Sequence, residues 1–265
     1  MNRSLARLAV AVIASTLALS PPDTGAAPLA RNALWLAVQA CRTNFKLIGS
    51  PFPCLQVDLT GGEERGYVVL RSPIGPSDTI LAPTRRVIGI EDPWLQLPDA
   101  PDYFEAAWRA RALLKGADDG RPGPDHYALA VNSALTRSQD QFHIHIGCLA
   151  PAFRRWLPDL LAKLPSGQWA PLDVAMAGSS FRALRLGRTD LRGVAPIRLA
   201  AQGLSGKAQS LMRLAILVAQ IRIAGVDELI ILASTASASG SLGSGSAEDM
   251  IDPGCSGDSS ASSVN

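Results

Sequence analysis

The stretch Gln139-Asp140-Gln141-Phe142-His143-Ile144-His145-Ile146-Gly147-Cys148 restricts the fold more than any other part of the chain. A polar-apolar alternation with a period of two belongs to a β-strand, whose side chains point to opposite faces in turn. Gln141, His143, His145 and Gly147 then share one face, and Phe142, Ile144, Ile146 and Cys148 share the other. The second set asks for a hydrophobic core. The first sets two of the chain's three histidines beside an amide, which packing alone does not require. Two imidazoles at this spacing can also converge on a metal ion. That reading needs a third ligand. Asp140 falls on the opposite face, His126 is distant in sequence, and the chain has no Cys-x-x-Cys or His-Glu-x-x-His motif. Metal binding is therefore the minority reading, and no cofactor is expected.

The 265 residues, 47% of them apolar, give room for a substantial core in one or two domains. A net charge of +2 offers nothing to a nucleic-acid backbone. Residues 1–27 have the layout of a secretory leader: Arg3 and Arg7, an apolar run from Leu8 to Leu19, Pro21-Pro22, then Gly25-Ala26-Ala27. The run is short of the ~20 residues that span a bilayer. Export is expected, with retention as an uncleaved anchor as the alternative, and either puts the body outside the cytoplasm. Four cysteines suit an oxidising compartment. Cys41 and Cys54 bracket a turn-rich segment and are the favoured pair. Cys148 with Cys255 follows by elimination, and a free, buried Cys148 stays open.

Apolar spacing predicts helices over Asn32–Lys46 and Tyr103–Lys115, the second capped by Asp102 and ended by Gly116. Pro151–Leu164 reads as helical with an interruption at Pro158. Arg65–Arg71 and Thr79–Pro83 read as a hairpin, Tyr127–Ser133 as a strand, and Leu214–Ile221 with Glu228–Ala233 as a second hairpin around Ala224-Gly225. The arginine-rich run Arg182–Arg192 reads as a solvated face, with a site for acidic lipid or phosphate as the alternative. From Ser234 the chain turns Ser/Gly/Ala-rich, so residues 234–265 are expected to be largely disordered, with Cys255 their one tether. The class is α+β, with antiparallel strands and a few helices on one side.

Several blocks together resemble a known family. Tyr127–Ser133, Thr136-Arg137-Ser138-Gln139 and Gln141-Phe-His143-Ile-His145-Ile resemble the histidine-triad superfamily of nucleotide hydrolases and transferases. The fuller pattern is similar to the bacterial CDP-diacylglycerol pyrophosphatases. It adds Gly66-Tyr-Val-Val-Leu70, Leu81-Ala-Pro83-Thr84-Arg85, Gly89-Ile-Glu91-Asp92-Pro93 and Phe104-Glu-Ala-Ala-Trp108-Arg-Ala-Arg111, over roughly Ala33–Ala233. The resemblance implies a HIT-like antiparallel sheet with flanking helices over residues 28–233, extended by a C-terminal strand and helix segment. The second half carries no matching histidine motif, so any duplication folded into the chain would be structural only. A homodimer and a two-lobed monomer are both open.

The resemblance also implies chemistry. His143 stands at the nucleophile's position and His145 at the third histidine's, while Gln141 replaces the first. An amide can donate and accept hydrogen bonds but cannot carry a proton charge. A neutral imidazole escapes the repulsion that a phosphoanhydride presents to hydroxide, and it splits one displacement into two. The implied reaction is attack by His143 next to the cytidine, loss of phosphatidate, and hydrolysis of a CMP-histidine intermediate without metal. His145, Gln141 and Ser138 would hydrogen-bond the phosphate oxygens. Asn132 is a candidate phosphate or ribose contact, with capping of a turn as its other role. Tyr67 would line a base pocket or the hairpin core, and Arg85 would counter the second phosphate or make a surface ion pair. The implied partner is the lipid CDP-diacylglycerol at a membrane surface on the periplasmic side. A soluble CDP-alcohol or dinucleotide substrate is the alternative, as is a secreted metal- or lipid-binding protein without catalysis.

Overall fold

A computed structural model describes residues 31–71, 79–114, 126–176, 179–204, 211–235 and 246–255. The leader expected at 1–27, the helix end expected at Lys115-Gly116 and the hairpin turn expected between Arg71 and Thr79 lie outside them. No helix among the described residues is long and apolar enough to cross a membrane.

The α+β architecture expected from the sequence is the one observed. The strands are β1 (Gln56–Asp58), β2 (Tyr67–Arg71), β3 (Thr79–Pro83), β4 (Tyr127–Val131), β5 (Ile144–Leu149), β6 (Trp169–Met176), β7 (Ser179–Arg185), β8 (Leu214–Ile223), β9 (Val226–Thr235) and β10 (Ile251–Asp252). They form one antiparallel sheet in the order β1-β2-β3-β5-β4-β8-β9-β7-β6. β10 continues the β3 edge of β5, pairing Ile251 with Leu149 and Asp252 with Cys148. The helices are α1 (Ala33–Ile48), α2 (Tyr103–Ala110), α3 (Pro151–Arg154), α4 (Leu157–Leu161) and α5 (Pro196–Gly203). Asp102 caps α2 as expected, its Oδ1 accepting from Glu105 N at 3.0 Å. The β8–β9 hairpin turns on Ala224 and Gly225, both at positive φ, as a two-residue loop of this hand demands.

The strand order contains the same pattern twice. In β2-β3-β5-β4, two hairpins are joined through α2, and the second strand of each hairpin pairs with the other. In β6-β7-β9-β8, the hairpins are joined through α5 in the same way. The two units meet where β4 pairs antiparallel with β8, Ala130 opposite Leu217. The edge that β4 would otherwise leave open is thereby covered from within the chain. Strand β9 holds the place of β5 in the second unit, and where β5 shows histidines it has the buried Ile230 and Leu232.

Helices cover both faces of the sheet, not one as the sequence suggested. One continuous core lies beneath α2 and α5 and includes Phe142, Ile144, Ile146, Ile216 and Ile231. The other face carries two separate cores. The first holds α1 against Val68, Leu70, Ile80 and Ala82. The second holds α4 and the segment Ala247–Ile251 against Ala215, Leu217, Ile230 and Leu232. Cys41–Cys54 ties α1 to the loop that follows it, and Cys148–Cys255 ties β5 to the C-terminal segment. Closing the 107-residue separation restricts the unfolded chain by about 4–5 kcal/mol on chain-entropy arithmetic.

The arginine-rich run is only partly a solvated face. Arg185 lies in β7 and donates to Glu228, whose carboxylate is buried and also accepts from Gly187 N. Arg188 and Arg192 gather at the surface around Asp190. Because the sheet runs unbroken across both units, Leu217→Ala at the seam should cost about 2–5 kcal/mol. A calorimetric scan should then show a single transition moved down by roughly 4–20 °C. Two separated transitions would contradict a continuous sheet.

Candidate active site

The histidine strand begins at Ile144, and Gln141–His143 form the bend that leads into it. Register places the histidines on the face beneath α1. Ile80 of β3 and Ala130 of β4 flank His145 directly, and both are buried and apolar. Carrying the β4 register two places further sets Asn132 beside His143. The two imidazoles meet edge to face with ring centroids 4.8 Å apart, and only 8% of His143 and 6% of His145 is exposed.

His143 Nδ1 lies 2.7 Å from the backbone carbonyl of Gln141. A carbonyl oxygen can only accept, so Nδ1 carries the proton and Nε2 holds the lone pair. The bend before the strand thus selects the tautomer with the lone pair on Nε2.

Gln141 is fully buried, and its side chain is engaged by backbone. Its amide nitrogen donates to the carbonyls of Pro83 and Arg85 at 3.0 and 2.9 Å, and its oxygen accepts from Val87 N at 3.4 Å. These bonds stitch the loop after β3 to the base of the motif. A histidine, with two ring nitrogens, could not make all three. The loop before the motif is fixed by charge. Arg31 grips Asp140 with bonds of 2.6 and 2.7 Å, and Arg137 reaches both carboxylate oxygens of Glu91 at 2.8 Å. The Arg31 guanidinium, aided by Arg137, holds the Asp140 carboxyl below the usual carboxylate range.

The remaining candidates fall in different places. Asn132 joins the histidine cluster, where its Oδ1 accepts from Ser246 Oγ at 2.8 Å and from Glu248 N at 3.3 Å. Ser138 is exposed on the loop that enters the motif. Tyr67 packs into the core on the opposite face of the sheet, its hydroxyl 3.4 Å from Gln56 Nε2. Arg85 donates to Glu64 and stacks 4.5 Å over Trp94, while its backbone carbonyl serves Gln141.

One residue at the site escaped the sequence reading. Residues 246–255, which fall in the stretch expected to be largely disordered, form a short 3-10 turn and β10. That turn carries Glu248, whose Oε2 lies 2.8 Å from His145 Nε2. Burial pushes the Glu248 carboxyl up, but His145, with His143 and Asn132, outweighs it and holds the carboxyl below its ordinary value. The only hint in the sequence is the sequence Ala247-Glu248-Asp249-Met250-Ile251, a charged and apolar island within a Ser/Gly-rich stretch. Among the described residues, no group of three His, Cys, Asp or Glu side chains is placed to hold a metal ion.

The family model described as CDP-diacylglycerol pyrophosphatase matches residues 29–259. The chain belongs to that family. The match runs through the histidine face, both units of the sheet and the C-terminal segment, and the family's activity is hydrolysis of a pyrophosphate bond. Among solved structures, the chain is similar to one titled as yeast Ap4A phosphorylase Apa2 in complex with Ap4A. Identity is 18% and the TM-score 0.41, and the match covers 72% of this chain and 65% of that one.

Two measurements check the C-terminal wall of the site. A Cβ at Gly147 would lie 2.5 Å from Ile251 Cγ2 and 3.0 Å from the Asp252 carbonyl oxygen. Gly147→Ala should therefore push β10 off β5 and speed amide exchange at Ile251 and Asp252, whereas unchanged protection would contradict the contact. The Glu248 carboxyl, depressed by its partners, contributes fully above the ordinary value of 4.5 and loses its contribution as pH falls through its folded value. Exchange protection of residues 246–252 should fall on that acid limb. Glu248→Gln should remove the pH dependence.

Proposed function

We propose that the chain hydrolyses CDP-diacylglycerol to CMP and phosphatidate through a CMP-His143 intermediate. The observation that carries this reading is the 2.7 Å bond from His143 Nδ1–H to the Gln141 carbonyl, which leaves the lone pair on Nε2 in a member of this family. Nε2 attacks the phosphorus bonded to the cytidine. A P–N bond forms, the P–O bond to phosphatidate breaks, and the electron pair leaves with the phosphatidate. The Gln141 carbonyl receives the developing imidazolium charge through Nδ1–H. Water then attacks the same phosphorus, and the P–N pair returns to Nε2. His145, at ring distance, exchanges the protons that the two steps require.

The substrate is a diacyl lipid, so the reaction takes place at a bilayer surface, and the periplasmic side is the reading that fits the leader and the two disulfides. Leu47, Ile48 and Phe52, each 72–76% exposed near the Cys41–Cys54 link, offer apolar side chains to that surface. The test gives purified protein CDP-diacylglycerol in detergent micelles. Wild type should release CMP, and His143→Ala should lower turnover by at least about a thousandfold, as expected when the attacking group is removed. Retained turnover in His143→Ala would remove His143 from the mechanism. Release of CMP from a soluble CDP-alcohol but not from the lipid would move the substrate to that class.

A further inference from the structure

We propose that Glu248 is a positioning residue for His145, and that the C-terminal segment is a fixed wall of the active site, built to hold a carboxylate against that imidazole. The proposal rests on the hydrolase reading above and adds to it a residue outside the histidine motif.

The segment is anchored on both sides of Glu248. Before it, Ser246 donates to Asn132, and Ala247 is fully buried. After it, Met250 is fully buried and its carbonyl accepts from Ala150 N at 2.9 Å. Beyond that, β10 pairs with β5, and Cys255 is bonded to Cys148. Glu248 N itself donates to Asn132 Oδ1. The backbone at 248 is thus held, and the carboxylate is delivered to His145 Nε2 at 2.8 Å. A glutamate in a Ser/Gly-rich stretch would otherwise face water.

The surroundings of His145 make this carboxylate count. β3 and β4 present Ile80 and Ala130 to it, and its own strand presents His143. The 3-10 turn presents Glu248, while its neighbour Asp249 is exposed. Burial first, and then the charge of Glu248, push the Asp249 carboxyl up. A carboxylate against an imidazole favours the imidazolium. With Glu248 Oε2 placed 2.8 Å from Nε2, the proton on the ring's other nitrogen serves the substrate. It passes to the phosphatidate oxygen as the P–O bond breaks. The neutral ring then takes a proton from water as the water oxygen attacks phosphorus and the P–N bond opens. Each turnover returns His145 to its starting state.

The test compares wild type, Glu248→Gln and Glu248→Asp in two readouts. Side-chain NMR titration of His145 should show its midpoint falling by about one pH unit or more in Glu248→Gln, and largely recovering in Glu248→Asp. The alkaline limb of the kcat profile should move down with it, so that kcat at slightly alkaline pH falls about tenfold while KM changes little. An unshifted His145 midpoint overturns the proposal, as does a uniform loss of kcat with no shift of the profile. A Glu248→Gln variant more active than wild type also overturns it, because the carboxylate would then be competing with the substrate's phosphate. The hydrolase reading fails separately, on absence of CMP from wild type. An intact reaction with an unshifted profile removes Glu248 alone.

Discussion

Strand β5 is committed on both faces and along both edges, and the rest of the molecule is arranged around that commitment. Its edges are bonded to β3 and β4, with β10 completing the first. Phe142, Ile144 and Ile146 sit at 1% exposure or less in the core beneath α2. Each such side chain contributes about 1.5–3 kcal/mol of burial. A slip of one residue would move these three out of the core and drive His143 and His145 into it, unpaired. The hydrophobic face therefore fixes where the imidazoles point. The bend at Gln141 then fixes which nitrogen of His143 keeps its lone pair, through a bond that needs no second side chain.

Gln141 shows how one position can leave a motif and still serve it. Its amide makes three bonds to the loop 83–87, and Val87 in turn accepts from Phe142 N through its carbonyl. The start of β5 is locked to the end of β3 by neutral groups in a fully buried place. A side chain that could gain a proton would carry a charge there with no water to solvate it. The charged contacts lie one step further out, where Arg31, Arg137, Asp140 and Glu91 hold the preceding loop.

Much of the first unit was legible because its signals are local. The alternation at 141–148 and the helical stripe of α2 with its Asp102 cap each follow from a short pattern, as does the β8–β9 turn at Ala224-Gly225 in the second unit. The second unit was harder. β6 and β7 carry Pro171, Arg182 and Arg185, and Arg185 reads as a surface charge until its distant partner Glu228 is known. The pairing of β4 with β8 joins residues about ninety apart and leaves no periodic trace. The two histidines lie together on one face, as the alternation predicts. Tyr67 was not brought to them, because the odd positions of β2 face the other core. Glu248 was invisible for the opposite reason: its composition predicts disorder, and its order comes from Asn132, from β5 and from a disulfide closed over a long loop.

The central claim is that His143 Nε2 forms a covalent bond to phosphorus. The stereochemical course of the reaction tests it most directly. A CDP-diacylglycerol made chiral with sulfur at the cytidine-side phosphorus would be hydrolysed in oxygen-18 water, and the configuration of the thio-CMP product read. Two successive displacements, first by His143 and then by water, predict retention. Inversion would mean that water attacks the anhydride in one step and that His143 is not the nucleophile.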